Sequence, residues 1–202
     1  GGQRYVPPEG ERASARAAAA AGTLMVLPSN SGYSIEEVAQ AATGPLWFQL
    51  SHFGDEDGPP PAHGLTWDRL EWLRSLSALP LLVKGIRTVE DAVLCAEHGV
   101  DGIVVSNHGA RHLDGTLSSI ETLPAIAEAV GDTLEVYLDS GVSRGMDVLR
   151  ALALGARAVL IGRPVFWGLA VGGEEGIRRV LEILRTELDR AMAYCGRTRV
   201  AD

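Results

Sequence analysis

Lysine is almost missing from this chain: of its 18 basic residues, only Lys84 is not arginine. Cysteine is scarce too. Cys95 and Cys195 stand far apart, which excludes a CxxC metal site, argues against a disulfide framework and predicts reduced thiols in a cytoplasmic protein. Positive charge is in deficit, 18 basic against 26 acidic residues for a net charge of −8, so nucleic acid or an anionic membrane is not expected as the main partner. A local basic pocket for a small anion stays open. No apolar run reaches the ~18 residues of a membrane span. The opening "GGQRYVPPEGERASARAAAAAG" lacks the leucine-rich core of a signal peptide. No GxGxxG follows the first strand pattern, which weighs against a dinucleotide fold.

What is present is a regular alternation. With 202 residues and 46% hydrophobic content the chain is sized for a single domain, 1–202. Residues 9–21 form an alanine-rich helical stretch closed by Gly22. "TLMVL" (23–27) and "LWFQL" (46–50) are short apolar strands around a helix at 34–42, which opens with a Ser34–Glu37 capping box. Residues 51–64, acidic and rich in glycine and proline, read as a loop, followed by an amphipathic helix at 66–77. Strands at 81–84, 102–106, 134–139 and 158–162 then alternate with helices at 88–99, 118–130, 145–155 and about 174–195. Strands that are unbroken apolar runs suit a parallel sheet covered on both faces.

The polar residues follow a rule. Lys84, Ser106–Asn107–His108, Asp139–Ser140–Gly141 and Gly162–Arg163 all stand at the C-terminal ends of strands. In a (β/α)8 barrel that end carries the active site, with phosphate often held after the last two strands. The expected fold is therefore α/β, of (β/α)8 TIM-barrel type, with six βα units recognisable. An apolar strand ending in the chain's one ammonium group calls for a partner or a task.

Four segments, "LPLLVKGI", "GIVVSNHGARHLDG", "DSGVSRGMDVLRALALGA" and "VLIGRP", resemble consecutive signatures of the FMN-dependent α-hydroxy-acid oxidases and dehydrogenases. "PPEGERASARAAAAAGTLMVLPS" and "SIEEVAQAATGPLWFQL" resemble that family's stretch around its second and third strands. The resemblance implies an FMN cofactor, a small 2-hydroxy-acid substrate oxidised to a 2-oxo acid, an electron acceptor that includes oxygen among the candidates, and a homo-oligomer. It assigns His108 as the base, Arg111 as the carboxylate clamp and Lys84 as the cation near the flavin. It gives Gln49, Ser106 and Asp139 to the cofactor, and Gly141, Arg144, Gly162 and Arg163 to its phosphate. Histidine titrates near working pH, and arginine offers a carboxylate two parallel donors.

Relative to that family, the first and fourth strands have no counterpart here, and the loop 51–64 stands in for a longer segment. Ser51 replaces a tyrosine, Pro28 a serine and Ser143 an arginine. The aspartate that orients the base lies in the missing fourth strand. These departures predict weakened FMN binding and slow turnover. They keep a second reading open, a paralogue that binds FMN or phosphate with little catalysis. A flavin-dependent isomerase fits less well, because a base followed by a carboxylate-clamping arginine suits hydroxy-acid chemistry. His52, His63 and His98 read as ordinary loop or helix-end residues, and His112 as a neighbour of Arg111.

Overall fold

The computed structural model describes Gln3, residues 9–51 and residues 66–201; the expected loop 51–64, with His52 and His63, lies outside them apart from Ser51. The chain divides into two compact units.

The first unit comprises residues 1–65 and 162–185. It holds α1 (Gly10–Ala20), β1 (Met25–Pro28), α2 (Ile35–Ala41), β2 (Leu46–Gln49) and the first part of α7 (Arg163–Tyr194). β1 and β2 pair in parallel, with Met25 opposite Leu46 and Pro28 opposite Gln49. The capping box starts α2 as expected: Glu37 donates its N–H to Ser34 Oγ, and Ser34 returns its own N–H to the Glu37 carboxylate. Small residues let α1 pack on both sides. Ala15 and Ala18 meet Met25, Leu27 and Val38, while Ala13 and Ala17 meet Leu169 and Ile177.

The last helix departs from the expectation of about 174–195. It begins at Arg163, directly after the final strand, and breaks at Gly172–Gly173, where Gly173 has φ +59°. Pro164 suits the first turn of a helix, where no N–H is needed. The two helical stretches then pass at backbone contact: a Cβ on Gly176 would lie 2.0 Å from the Gly168 carbonyl oxygen.

The second unit comprises residues 66–161 and 186–202. It holds α3 (Asp68–Leu76), β3 (Leu82–Ile86), α4 (Val89–Glu97), β4 (Gly102–Val105), α5 (Ser119–Val130), β5 (Glu135–Asp139), α6 (Gly145–Ala153), β6 (Ala158–Leu160) and the end of α7. The four strands form one parallel sheet in the order β3-β4-β5-β6. Every residue of β4 is buried, as befits a central strand covered on both faces. Ile103, Val105, Leu123, Ile126 and Leu138 are the centre of its core, each contributing about 1.5–3 kcal/mol by burial. His98 ends α4 and stacks flat on Trp67 at 4.9 Å, a structural role.

Six strands occur among the described residues, matching the six candidates. No helix among those residues is long and apolar enough to cross a membrane.

Gly176→Ala should cost about 1–3 kcal/mol by overpacking at the crossing. Gly172→Ala, where a Cβ meets nothing within 4 Å, should change stability by less than about 0.5 kcal/mol. Denaturant titration of both variants followed by circular dichroism tests the difference.

Candidate functional site

The parallel register of the second unit brings residues of three adjacent strands and the turns after them together. Lys84 pairs with Val104 across β3 and β4, and Gly102–Val105 of β4 pair with Glu135–Leu138 of β5. A register shift between Lys84 and Ile86 follows, and Gly85 there has φ +105°, which only glycine adopts without strain. Lys84, expected to end its strand, is instead the middle residue of β3, which runs on to Ile86 past the shift; its Nζ donates to Asp139 Oδ2 at 2.7 Å and to Ser106 Oγ at 3.0 Å, and Ser106 Oγ donates to Asp139 Oδ2 at 2.6 Å. The side chains of Lys84 and Asp139 are only 24% and 17% exposed, so each depends on the other for solvation. Burial pushes the Asp139 pKa up, but the Lys84 ammonium, the Ser106 hydroxyl and the Ser140 N–H outweigh it and hold the carboxyl below its usual value.

The run after β4 turns sharply. His108, Gly109 and Ala110 have φ of 55°, 68° and 57°, all left-handed. Such geometry costs a residue with a Cβ about 1 kcal/mol or more. Asn107 supports the turn: its Oδ1 accepts the N–H groups of Gly109 and Ala110, at 3.0 and 3.3 Å. The backbone N–H of His108 donates to Ser106 Oγ at 3.1 Å. The turn therefore hangs directly on the Lys84–Ser106–Asp139 group.

The His108 ring lies 4.2 Å from the His112 ring. Partial burial lowers the His108 pKa below its ordinary value, and the charges of His112, Lys84 and Arg111 lower it further, against the pull of Asp139. A neutral imidazole accepts a proton, so His108 stays in the accepting form to lower pH than a free histidine. Arg111 is exposed. It forms no ion pair or hydrogen bond among the described residues.

The β5–α6 turn carries Ser140 and Gly141 at φ +82° and +81°, with nothing within 4 Å of a Cβ on Gly141. Ser143 and Arg144 give their N–H groups to the Asp147 carboxylate. The Arg144 guanidinium is committed to Glu187, at 2.7–3.0 Å. In the first unit, the Gln49 side-chain amide donates to Ser51 Oγ at 3.1 Å. Gly162 has open space where a Cβ would stand, and Arg163 is exposed at the start of α7.

Lys84, Ser106, His108, Arg111 and Asp139 thus share one end of one sheet. Ser140 and Asn107 join them, although neither stood among the sequence candidates as a site residue; a serine with positive φ leaves no mark in the sequence. A cavity of about 200 Å³ elsewhere in this unit is lined by Arg87, Thr88, Leu117 and Thr122, none of them site residues. No group of three or more metal-ligating side chains occurs among the described residues.

A family described as FMN-dependent dehydrogenase matches residues 1–58 and 61–202. An L-lactate oxidase of Nostoc sp. is 40% identical over 267 positions, covering 96% of this chain and 73% of that protein. That span exceeds the 202 residues of this chain, so the relative carries a stretch absent here. The 2-hydroxyacid oxidase 1 of Mus musculus is 58% identical over 65% of this chain and 36% of its own length. A solved mandelate oxidase variant with a monooxide FMN adduct has a TM-score of 0.91 at 40% identity, over 98% of this chain and 74% of that one. The likeness establishes an α/β fold of (β/α)8-barrel type, shortened in this chain.

His112→Ala removes a positive neighbour. The His108 titration midpoint should therefore rise toward the ordinary 6.5, which an NMR titration of the imidazole resonances would reveal.

Proposed function

The chain belongs to the FMN-dependent dehydrogenase family, and from that premise we propose that it oxidises a small 2-hydroxy acid to the 2-oxo acid with His108 as base and Arg111 as carboxylate clamp. The observation that carries this reading is the group at one end of the sheet: the His108 turn hydrogen-bonded through Ser106 to Lys84 and Asp139, with Arg111 exposed three residues on. FMN is the cofactor, and when bound it accepts the two electrons taken from the substrate.

The residues present fit such a group. Lys84 is fixed by Asp139 and Ser106 with a third N–H uncommitted among the described residues, and supplies positive charge where a reduced ring needs it. Gly141 leaves its backbone open to close approach, as a phosphate contact requires. The family pattern assigns Asp139 to the ribityl chain. The family pattern also gives Arg144 to the phosphate, although its Nε and Nη2 are engaged by Glu187. His108 takes a proton from the substrate, and Arg111 holds the carboxylate by two parallel donors, which fixes the reacting carbon.

Several finer points belong to the same reading. Oxygen as the acceptor is supported by the relatives, which are named oxidases. A cytoplasmic location is supported by two free thiols, buried Cys95 and exposed Cys195. Slow turnover is supported by the stretch that the lactate oxidase has and this chain lacks.

Apoprotein should bind one FMN, and anaerobic lactate, glycolate or mandelate should bleach it. Reduction slower than about 10 per second, a common scale for competent enzymes, is expected. His108→Ala should abolish bleaching. Arg111→Lys should weaken substrate binding about tenfold or more, because an ammonium cannot make the two-pronged contact. FMN-loaded protein that no 2-hydroxy acid reduces would refute the reading.

A further inference from the structure

Ser140 follows the last residue of β5 with φ +82°. A glycine would adopt that conformation freely, while a serine is strained. Strain kept where glycine would relieve it points to work done by the side chain.

The hydrogen-bond inventory around Ser140 is short and decides where the protons point. Asp139 Oδ2 is an acceptor only, with Lys84 Nζ at 2.7 Å, Ser106 Oγ at 2.6 Å and Ser140 Oγ at 3.2 Å. The single Ser106 proton goes to that carboxylate. The Ser106 lone pairs are taken by Lys84 Nζ at 3.0 Å and the His108 N–H at 3.1 Å. The Ser106–Ser140 approach of 3.3 Å is thereby left without a free acceptor on Ser106. The Ser140 proton is left with Asp139. Its lone pair then faces the Gly109 N–H, at 2.9 Å. Two serine hydroxyls, both polarised by one carboxylate, receive the N–H groups of two consecutive residues, His108 and Gly109.

We infer that Ser140 is a positioning residue for the base: with Ser106 it hangs the His108–Gly109 backbone from the Asp139 carboxylate and so fixes where the imidazole stands. The inference rests on the reading of His108 as base. Asn107 shapes the turn internally, since its side chain also accepts from Gly109. Ser106 reaches β5 only through Asp139, whereas Ser140 bonds the turn directly from the residue after β5. An oriented base is a recurring requirement in proton-transfer catalysis, and small misplacements are costly in rate.

The test compares the parent chain with Ser140→Gly and Ser140→Ala. Glycine should fold at least as well, since it accepts φ +82° without strain. In both variants the Gly109 amide proton should move upfield as it loses an acceptor. The His108 titration midpoint should rise toward 6.5 as the ring drifts from Lys84, Arg111 and His112. In the FMN-loaded proteins, flavin reduction should fall about tenfold while substrate affinity changes less than about threefold. Unchanged Gly109 resonance and His108 titration in Ser140→Gly would overturn the inference, and so would shifts in both with reduction within about twofold of the parent. His108→Ala separates the two levels. If it reduces flavin as fast as the parent, the base reading fails, while the Gly109 and His108 resonances still decide whether Ser140 positions the turn.

Discussion

The ion pair between Lys84 and Asp139 is the constraint from which the site is built. It joins the middle of β3 to the last residue of β5, with Ser106, directly after the intervening strand, bonded to both partners. Neither charge is well hydrated. A half-buried ammonium or carboxylate left alone is costly, so removing one partner harms more than the pair itself stabilises. The three strands are therefore locked in one arrangement, and the loops that leave them start from fixed points. That also accounts for the chain's one lysine: an ammonium is a compact point donor that can serve a hydroxyl, a carboxylate and one further acceptor at once.

From that base the chemistry-bearing loop is built under strain. His108 and Ala110 adopt left-handed backbone angles that their side chains disfavour. The turn persists because Asn107, Ser106 and Ser140 each bind one or two of its N–H groups. Held there, the imidazole lies close enough to Lys84, Arg111 and His112 for their charges to lower its pKa. Packing supplies the platform: a central strand buried along its whole length and a core of branched aliphatics beneath the loop ends. The same chain of cause runs from alternation in the sequence, to parallel strands, to a polar cluster at one end, to an imidazole whose pKa is lowered.

Much of this was legible in the sequence because it is local. Glycine stops, the capping box at Ser34 and unbroken apolar runs locate the elements to within a few residues. The lone lysine and the "SNHGARHLDG" run mark the site. What could not be read depends on contacts distant in sequence or on backbone angles. The first stretch of α7 was missed because Gly168, Gly172, Gly173 and Gly176 look like a loop, whereas two of them serve a close helix crossing. Arg144 looked free for a phosphate, yet Glu187, far along the chain, engages it. Ser140 stood among the polar residues at a strand's C-terminal end without a role, and only its positive φ and its bond to Gly109 show that it links the β5 end to the His108 turn.

The most direct measurement is a double-mutant cycle on unfolding free energy at pH 7, using Lys84→Met, Asp139→Asn and the double variant. If the pair is the brace of the site, the two substitutions should be non-additive, with a coupling of about 1 kcal/mol or more, as expected for residues in one hydrogen-bonded network. Additivity within about 0.3 kcal/mol, the behaviour of independent sites, would show that the strands are held by something else.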